Sequence, residues 1–420
     1  KPSLLRPGLG SFLTRRVQQA HLEPGRRRCT LSEIKDAILS DGVISISGEC
    51  KGCDDCVKAC PAGAITVNGL GTKHIIDPSL CVNCGQCLIT CPFARIEDVS
   101  MVGDVKAAMA GGKRVIVQEA PAVRVGLGEA FGMAEGSNVQ GKMYAALRKL
   151  GFSEVYDTLF AADLTIMEEG FELIGRVNKA MGVEGNEEAG PLPQFTSCCP
   201  GWVRYAELNY PKLLPHLSTA KSPMMMQGAI TKTYAAKKLE VPASDIYSVA
   251  IMPCTAKKFE CSRPEFISSG YDDVDAVLTT RELAAWIKEE GVDFANLPEE
   301  EVDKLIGTGS GAGAIFGVTG GVMEAALRTA YAVLSGNELD NLDIEAVRGE
   351  EGLREATIPI PLKDGGTLEV KVAVVNGTKY VDKVAQEVLE GTSPYHFIEV
   401  MNCSGGCVNG GGQPINHTTF

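Results

Sequence analysis

Two copies of one cysteine grid constrain this chain more than any other feature in it. Cys50, Cys53, Cys56 and Cys60 recur as Cys81, Cys84, Cys87 and Cys91 at an offset of 31 residues, and Pro61 and Pro92 follow the fourth cysteine each time. The spacing C-x2-C-x2-C-x3-C-P wraps three irons of a cubane with its first three thiolates and lends its fourth to a neighbouring cluster. A chain that carries it twice must fold so that each fourth thiol meets the other copy. The crosswise rule assigns Cys50, Cys53, Cys56 and Cys91 to one 4Fe-4S cluster, and Cys81, Cys84, Cys87 and Cys60 to a second. A pair of zinc sites is the competing reading. Zinc knuckles, however, are two C-x2-C pairs separated by a longer loop, which is a different pattern.

The chain holds 15 cysteines, an odd number, and most lie in such tight groups. That usage favours metal over a disulfide framework and implies a reducing compartment, hence a cytoplasmic protein. A formal charge of -13 argues against nucleic acid as a main partner, because neutralising phosphates needs a basic surface. Small neutral substrates or protein partners fit better. No uncharged apolar run reaches the ~18 residues of a membrane span; the nearest, residues 309–323, is rich in Gly and stops at Glu324. Arg15-Arg16 is followed by no apolar stretch and is not read as an export signal. A chain beginning at Lys1 is expected to have been trimmed upstream. The first thirty residues carry seven Lys or Arg against one acid, Glu23. Residues 1–45 are therefore expected to form a basic arm, either solvated or docking an acidic partner subunit.

From about residue 110 the chain alternates strand-like runs with amphipathic helical stretches, the mark of α/β architecture. The expected strands are 114–117, 154–156, 246–251, 275–278 and 397–400, with a short run at 195–197. Three further cysteine segments follow such runs: Thr196-Ser197-Cys198-Cys199-Pro200-Gly201-Trp202, Met252-Pro253-Cys254-Thr255-Ala256-Lys257, and Met401-Asn402-Cys403-Ser404-Gly405-Gly406-Cys407. Residues just beyond strand ends converge in open α/β sheets, so the three can meet at one crevice. Cys199, Cys254, Cys403 and Cys407 offer four thiolates, enough for one more cubane. Ordinary buried cysteines are the alternative. Adjacent side chains diverge, so Cys198 and Cys199 invite a division of labour in which one holds iron and its neighbour stays a free thiol.

These three segments, together with SGAGAIFGVTGGVMEAAL and the double repeat, resemble the signatures of the FeFe-hydrogenases over most of residues 46–414. The resemblance implies an H-cluster, a 4Fe-4S cubane joined through one cysteine to a two-iron unit carrying CO, cyanide and an azadithiolate bridge. It implies that Cys199, Cys254, Cys403 and Cys407 hold that cubane, with Cys407 as the bridge. It gives Lys257 and the Pro121-Ala122 backbone to the cyanides, and Met252 and Met401 to the wall around the diatomic ligands. Cys198 becomes the proton donor, with Glu169, Ser218 and Glu172 as onward carriers. Glu169 and Glu172 stand three apart on one helix face, and Met167, Phe171 and Ile174 form a different, apolar stripe. A free thiol has an ordinary pKa of about 8.5, which suits two-way proton traffic near neutral pH.

The expected fold is an α/β catalytic domain of two lobes, residues 106–420, whose small mixed and parallel sheets are flanked by helices. It follows an α+β bacterial-ferredoxin-like 2x4Fe-4S domain, residues 46–105, and the arm. The implied function is reversible H2 oxidation and proton reduction. Electrons would pass through the two 4Fe-4S clusters to ferredoxin or another electron-transfer subunit. A small subunit or larger complex and maturation proteins are further implied partners. A hydrogen sensor of the same fold typically lacks the proton-donating thiol, and a non-catalytic iron-sulfur assembly homologue lacks the two-iron unit. Asn402 stands where relatives often have Ala and is expected to donate to a cluster sulfur. Met224 stands where several carry Gln. The chain stops six residues after Pro414, where single-chain relatives continue, so a missing tail or a separate subunit is expected to close the site. Cys29 and Cys261 are read as incidental or buried thiols.

Overall fold

The computed structural model describes residues 31–415 apart from 48–49, 68–72, 338, 340–343, 350–351 and 364. Cys29 and the basic stretch 1–30 lie outside the described residues. The arm expected over 1–45 has given way to packed structure by residue 31. The Leu31–Asp41 helix buries Ile34, Ala37 and Ile38 in a core shared with Ile65, Leu88, Ile96, Cys56, Cys87 and Cys91. Its Lys35 is buried as well and donates to Cys261 O at 3.0 Å and Asp272 Oδ2 at 2.9 Å. The positive charge of the arm is concentrated in residues 1–30, whereas Ile34, Ala37 and Ile38 stand three and four apart and that row finds a core.

The cysteine repeat in sequence is a repeat in structure. Strand β1 (Ile44–Ile46) pairs antiparallel with β4 (Ile96–Asp98), and β2 (Ile65–Thr66) pairs with β3 (Ile75–Ile76). The Asp55–Ala59 and Gln86–Thr90 helices carry Cys56 and Cys87, and each starts after a left-handed residue, Asp54 at φ 65° and Gly85 at φ 72°. Each fourth cysteine then accepts a backbone N–H from four residues on, Ala64 N to Cys60 Sγ at 3.3 Å and Arg95 N to Cys91 Sγ at 3.4 Å.

The larger part has two small sheets. Strands β5 (Arg114–Glu119), β6 (Glu154–Asp157), β8 (Ile246–Met252) and β9 (Ala276–Thr279) form an all-parallel sheet in the order β6-β5-β8-β9. A parallel sheet is covered on both faces, which is why all seven residues of β8 are buried. The second sheet is mixed, in the order β10-β11-β12-β7, from β7 (Gln194–Phe195), β10 (Leu353–Pro361), β11 (Thr367–Asn376) and β12 (Phe397–Met401). The expected strands all appear, within a residue or two. The antiparallel β10-β11 ribbon was not anticipated, because Pro359 and Pro361 break its strand pattern. They are tolerated because β10 is an edge strand and pairs only with β11, where a missing N–H costs few ladder bonds.

One ion-pair cluster fastens the cysteine-repeat portion to the rest. Lys258 Nζ is fully buried and lies 2.7 Å from both Asp98 Oδ2 and Glu282 Oε2, and it donates to Val99 O at 2.6 Å. Leaving such a charge unpaired costs on the order of 3–5 kcal/mol, so strand β4 is held firmly against the Thr280–Glu289 helix.

The Leu159–Ala180 helix lies along the junction of the two sheets. Its buried face is largely apolar, with Ala161, Ala162, Ile166, Leu173 and Val177, but it also takes in a carboxylate. Glu169 is 1% exposed, whereas Met167 and Phe171 are 42% and 53% exposed.

Candidate active site

The three late cysteine segments meet where the strand ends of the two sheets face each other, each fixed by its own local chemistry. In the first, Pro200 opens the Pro200–Asn209 helix, and the fully buried Trp202 donates its indole N–H to Thr196 O at 3.1 Å, folding the segment back on itself. The second leaves the end of β8 and turns into the Ala256–Cys261 helix. The third leaves β12 through Gly405 at φ 83° and Gly406 at φ 98°. A Cβ on Gly406 would sit 2.7 Å from Thr319 N, so only glycine admits this approach.

Between them lies a pocket of about 630 Å³ walled mostly by apolar and sulfur atoms. Cys198, Cys199, Cys254 and Cys407 line it, with Lys257, Met252, Met401, Pro121 and Ala122. Met224, Phe316 and Gly317 complete much of the wall. Three of the four expected cubane ligands are thus brought onto one pocket with Cys198, Lys257, Met252, Met401, Pro121 and Ala122. Cys403 is buried on the far side of this set, facing the cysteine repeat rather than the pocket.

The four thiols suit a cluster. Burial first, and then the charges of neighbouring cysteines, push Cys254 and Cys407 up to about 12 and Cys403 well above the ordinary thiol value. Burial so favours the protonated form of these three, and a cationic group beside them is what would favour their thiolates. Among the described residues no three His, Cys, Asp or Glu side chains close on a point suited to one metal ion. Thiolates around a cube of four irons stand farther apart than the ligands of one ion, so the donor set fits a cubane better than a single zinc.

Lys257 is 9% exposed and donates to Cys198 O at 3.1 Å and to Glu260 Oε2 at 2.7 Å. Burial works against its charge, but the neighbouring Glu260 outweighs it and keeps the ammonium protonated. Two of its three N–H groups are thus engaged, which leaves one for the pocket. Ala122 is in the first turn of the Pro121–Gly126 helix, where N–H groups have no partner within the helix, and its carbonyl accepts from Gln413 Nε2 at 2.8 Å.

From Cys198 a line of polar groups leads away from the pocket. The Cys198 thiol is raised well above its ordinary value by burial and then by the charges of Glu169 and Cys199, so it is held as a thiol. Glu169 Oε1 accepts from Ser197 N at 3.2 Å, and burial above all raises its carboxyl to about 7. Ser218, buried near Glu169, donates to Glu172 Oε2 at 2.8 Å. Glu172 pairs with Arg176 at 2.6 Å, and its side chain reaches 18% exposure.

The cysteine repeat shows the crosswise grouping. A separate pocket of about 330 Å³ is lined by Cys50, Cys53, Cys56 and Cys91. Cys87 feels the charges of Cys84, Cys81 and Cys60, and Cys81 that of Cys60. All fourteen cysteines among the described residues are free, and Cys261 is a buried thiol that donates to Lys258 O at 3.3 Å.

Sequence reasoning missed four residues. Glu260 holds Lys257. Glu399, fully buried, accepts from Gly320 N at 2.6 Å and Met323 N at 2.7 Å at the start of the Gly321–Ser335 helix, and its carboxyl is raised to about 7 by burial. His74, 1% exposed, lines the Cys50 pocket with Nε2 2.8 Å from Asp54 Oδ1. Gln86 Nε2 donates to Cys403 Sγ at 3.2 Å. No local pattern marks them, although an acid three residues after Lys257 was a readable signal for Glu260.

Comparison with known proteins agrees with this geometry. Residues 113–411 match the family profile described as iron only hydrogenase large subunit, C-terminal domain, and residues 49–94 match a 4Fe-4S dicluster domain. The chain is 53% identical over 370 residues to the periplasmic [Fe] hydrogenase large subunit of Nitratidesulfovibrio vulgaris, covering 87% of this chain and 85% of that protein. It superposes on [FeFe]-hydrogenase HydA1 from Chlamydomonas reinhardtii with a TM-score of 0.67 and 41% identity, over 76% of this chain and 86% of that one. A more distant relative, Protein NAR1 of Arabidopsis thaliana, is 31% identical over 79% of this chain and 72% of its own length. The fold, the cysteine grid and the three segments around one pocket carry a single conclusion: the chain belongs to the iron-only hydrogenase family.

Proposed function

We propose that this chain interconverts H2 with protons and electrons at an H-cluster held in the 630 Å³ pocket. One observation carries the reading. Cys198, which a cubane does not need, stands on the same pocket as the ligand cysteines and beside the buried Glu169, and beyond Glu169 the Ser218 hydroxyl donates to Glu172 Oε2 at 2.8 Å. Cys199, Cys254, Cys403 and Cys407 would hold the cubane, with Cys407 as the bridge to the two-iron unit. When bound, that unit supplies the place where two protons and two electrons meet as H2. Cys198 holds the arriving proton at Sγ, and Glu169 hands protons between that thiol and Ser218. Lys257 with its remaining N–H, and Ala122 with its backbone N–H, would donate to the cyanides when the unit is bound. Met252 and Met401 exclude water with soft apolar surface.

Electrons would travel through the clusters of Cys50, Cys53, Cys56, Cys91 and of Cys81, Cys84, Cys87, Cys60 to ferredoxin or another electron-transfer subunit. Residues 46–105 would form the cluster domain and 106–420 the catalytic one. A non-catalytic iron-sulfur protein, the rival reading, leaves Cys198, Lys257, Met252 and Met401 without a shared purpose. Cysteine usage favours the cytoplasm, while the 53% identical relative is named periplasmic. Among the described residues no helix is long and apolar enough to cross a membrane.

Glu169→Gln tests the proposal at its narrowest point. The amide keeps the shape and the bond from Ser197 but cannot cycle a proton at an acidic oxygen. Dye-linked H2 oxidation is expected to fall by about 10²-fold or more, within the range of acid–base contributions, with iron content unchanged. A wild-type rate would remove Glu169 from the path.

A further inference from the structure

A short strap, residues 410–413, touches the pocket wall in two places and the cysteine repeat in a third. Gly412 N donates to Pro253 O at 2.8 Å, next to the cubane ligand Cys254. Gly411 packs so closely on the repeat that a Cβ there would strike the Cys84 carbonyl. Gln413, 7% exposed, reaches the Pro121–Gly126 helix and donates Nε2 to Ala122 O at 2.8 Å. Its approach needs Gly126, where a Cβ would sit 2.6 Å from Gln413 Oε1. Gln413 Oε1 has no hydrogen-bond partner among the described residues, so the bond to Ala122 is what an amide contributes at this position. Arg281 grips the strap from its other side. The guanidinium donates to Gly411 O at 2.6 Å and Gln413 O at 2.8 Å, and the backbone N–H to Gly412 O at 3.2 Å. It also pairs with Asp98 of β4 at 3.2 Å. Three successive carbonyls are thus tied to one anchored arginine, which makes the Gln413 backbone a fixed point.

We propose that Gln413 is a positioning residue for the two-iron unit, holding the Ala122 peptide so that its N–H stays set toward a cyanide. The proposal rests on the reading of the pocket given above and names what holds one of its donors. Ala122 lies between two restraints. Pro121 before it has a ring-locked φ, and Gln413 holds the carbonyl after it. Lys257, the other donor, is set separately by Glu260. Loss of the Gln413 bond is therefore expected to disturb one cyanide and spare the other.

The test is an infrared spectrum of the full chain produced with its maturation proteins, read together with iron content and cluster EPR. Gln413→Met, similar in length and volume but without a donor, is expected to shift one cyanide stretch and leave the other in place, with 4Fe-4S iron unchanged. Where Gln413→Met takes up no two-iron unit, amide hydrogen exchange of the chain carrying 4Fe-4S clusters alone decides. Residues 122–127 are then expected to exchange about 5–10-fold faster than in the wild type, the worth of one buried hydrogen bond, with residues 246–252 unchanged. Wild-type cyanide bands in Gln413→Met, or wild-type exchange where no unit is taken up, would overturn the positioning role and leave the hydrogenase reading intact. A wild-type chain with full 4Fe-4S iron and no cyanide bands would overturn both. Should Gln413→Met fail to fold, Gln413→Leu carries the same expectation.

Discussion

Cys198→Ala will keep its full complement of iron and lose turnover by about 10²–10⁴-fold, the span that a positioned proton donor supplies. The substitution removes one sulfur that no cluster requires and leaves Cys199, Cys254, Cys403 and Cys407 untouched. It also leaves Glu169 at the far side of a gap with no group to carry a proton across it. The pocket is walled mostly by apolar atoms, so water is a poor substitute. Cys198→Ser is expected to fall almost as far, because a hydroxyl of similar size is a much weaker acid than a thiol. Iron per chain, cluster EPR and dye-linked H2 oxidation measured together check the result. Near-normal turnover in either variant would contradict the assignment of Cys198 as the proton gate.

The second large effect lies in the cysteine repeat. Cys60→Ala is expected to abolish the cluster held by Cys81, Cys84 and Cys87, twenty and more residues away, while sparing the one held by its own segment. Cys91→Ala is expected to do the reverse. About four irons per chain are lost in each case. The pocket lined by Cys50, Cys53 and Cys56 contains Cys91, and Cys60 keeps company with Cys81 and Cys87. Iron analysis with EPR of the reduced chain distinguishes the two. Cys60→Ala should also cut electron flow to a protein acceptor nearly to nothing, since the missing cluster is the one whose Cys84 adjoins Cys403. Loss of the cluster belonging to the mutated residue's own segment would refute the crosswise arrangement.

Much of this was legible from spacing alone. The grid of cysteines carries its ligand sets in the chain itself, because the geometry of a cubane fixes the steps between thiols. The parallel strands were legible because each is a short, nearly unbroken apolar run. The face of the Leu159–Ala180 helix was not. Periodicity says that Glu169 and Glu172 share a side, but burial at 1% for Glu169 and exposure of Met167 and Phe171 depend on what the helix packs against. Long-range partners were invisible for the same reason. Gln86 and Cys403 are 317 residues apart, and nothing near Gln86 announces a sulfur. The upward shift of Cys198 was hidden too, since it comes from burial and from a carboxyl 29 positions back in the chain. Asn402 lies between these cases. Its place beside Cys403 was readable, whereas the bond from Thr378 that fixes its amide needed the fold.

On the proposed function, the pocket between the two sheets would hold a two-iron unit with CO and cyanide, joined to the cubane of Cys199, Cys254, Cys403 and Cys407. An infrared spectrum of the chain produced with its maturation proteins tests it most directly. The expected result is a set of sharp CO and cyanide stretches that shift on exposure to H2. A chain carrying its full 4Fe-4S iron and showing no such bands would contradict the claim and leave an electron-transfer protein in its place.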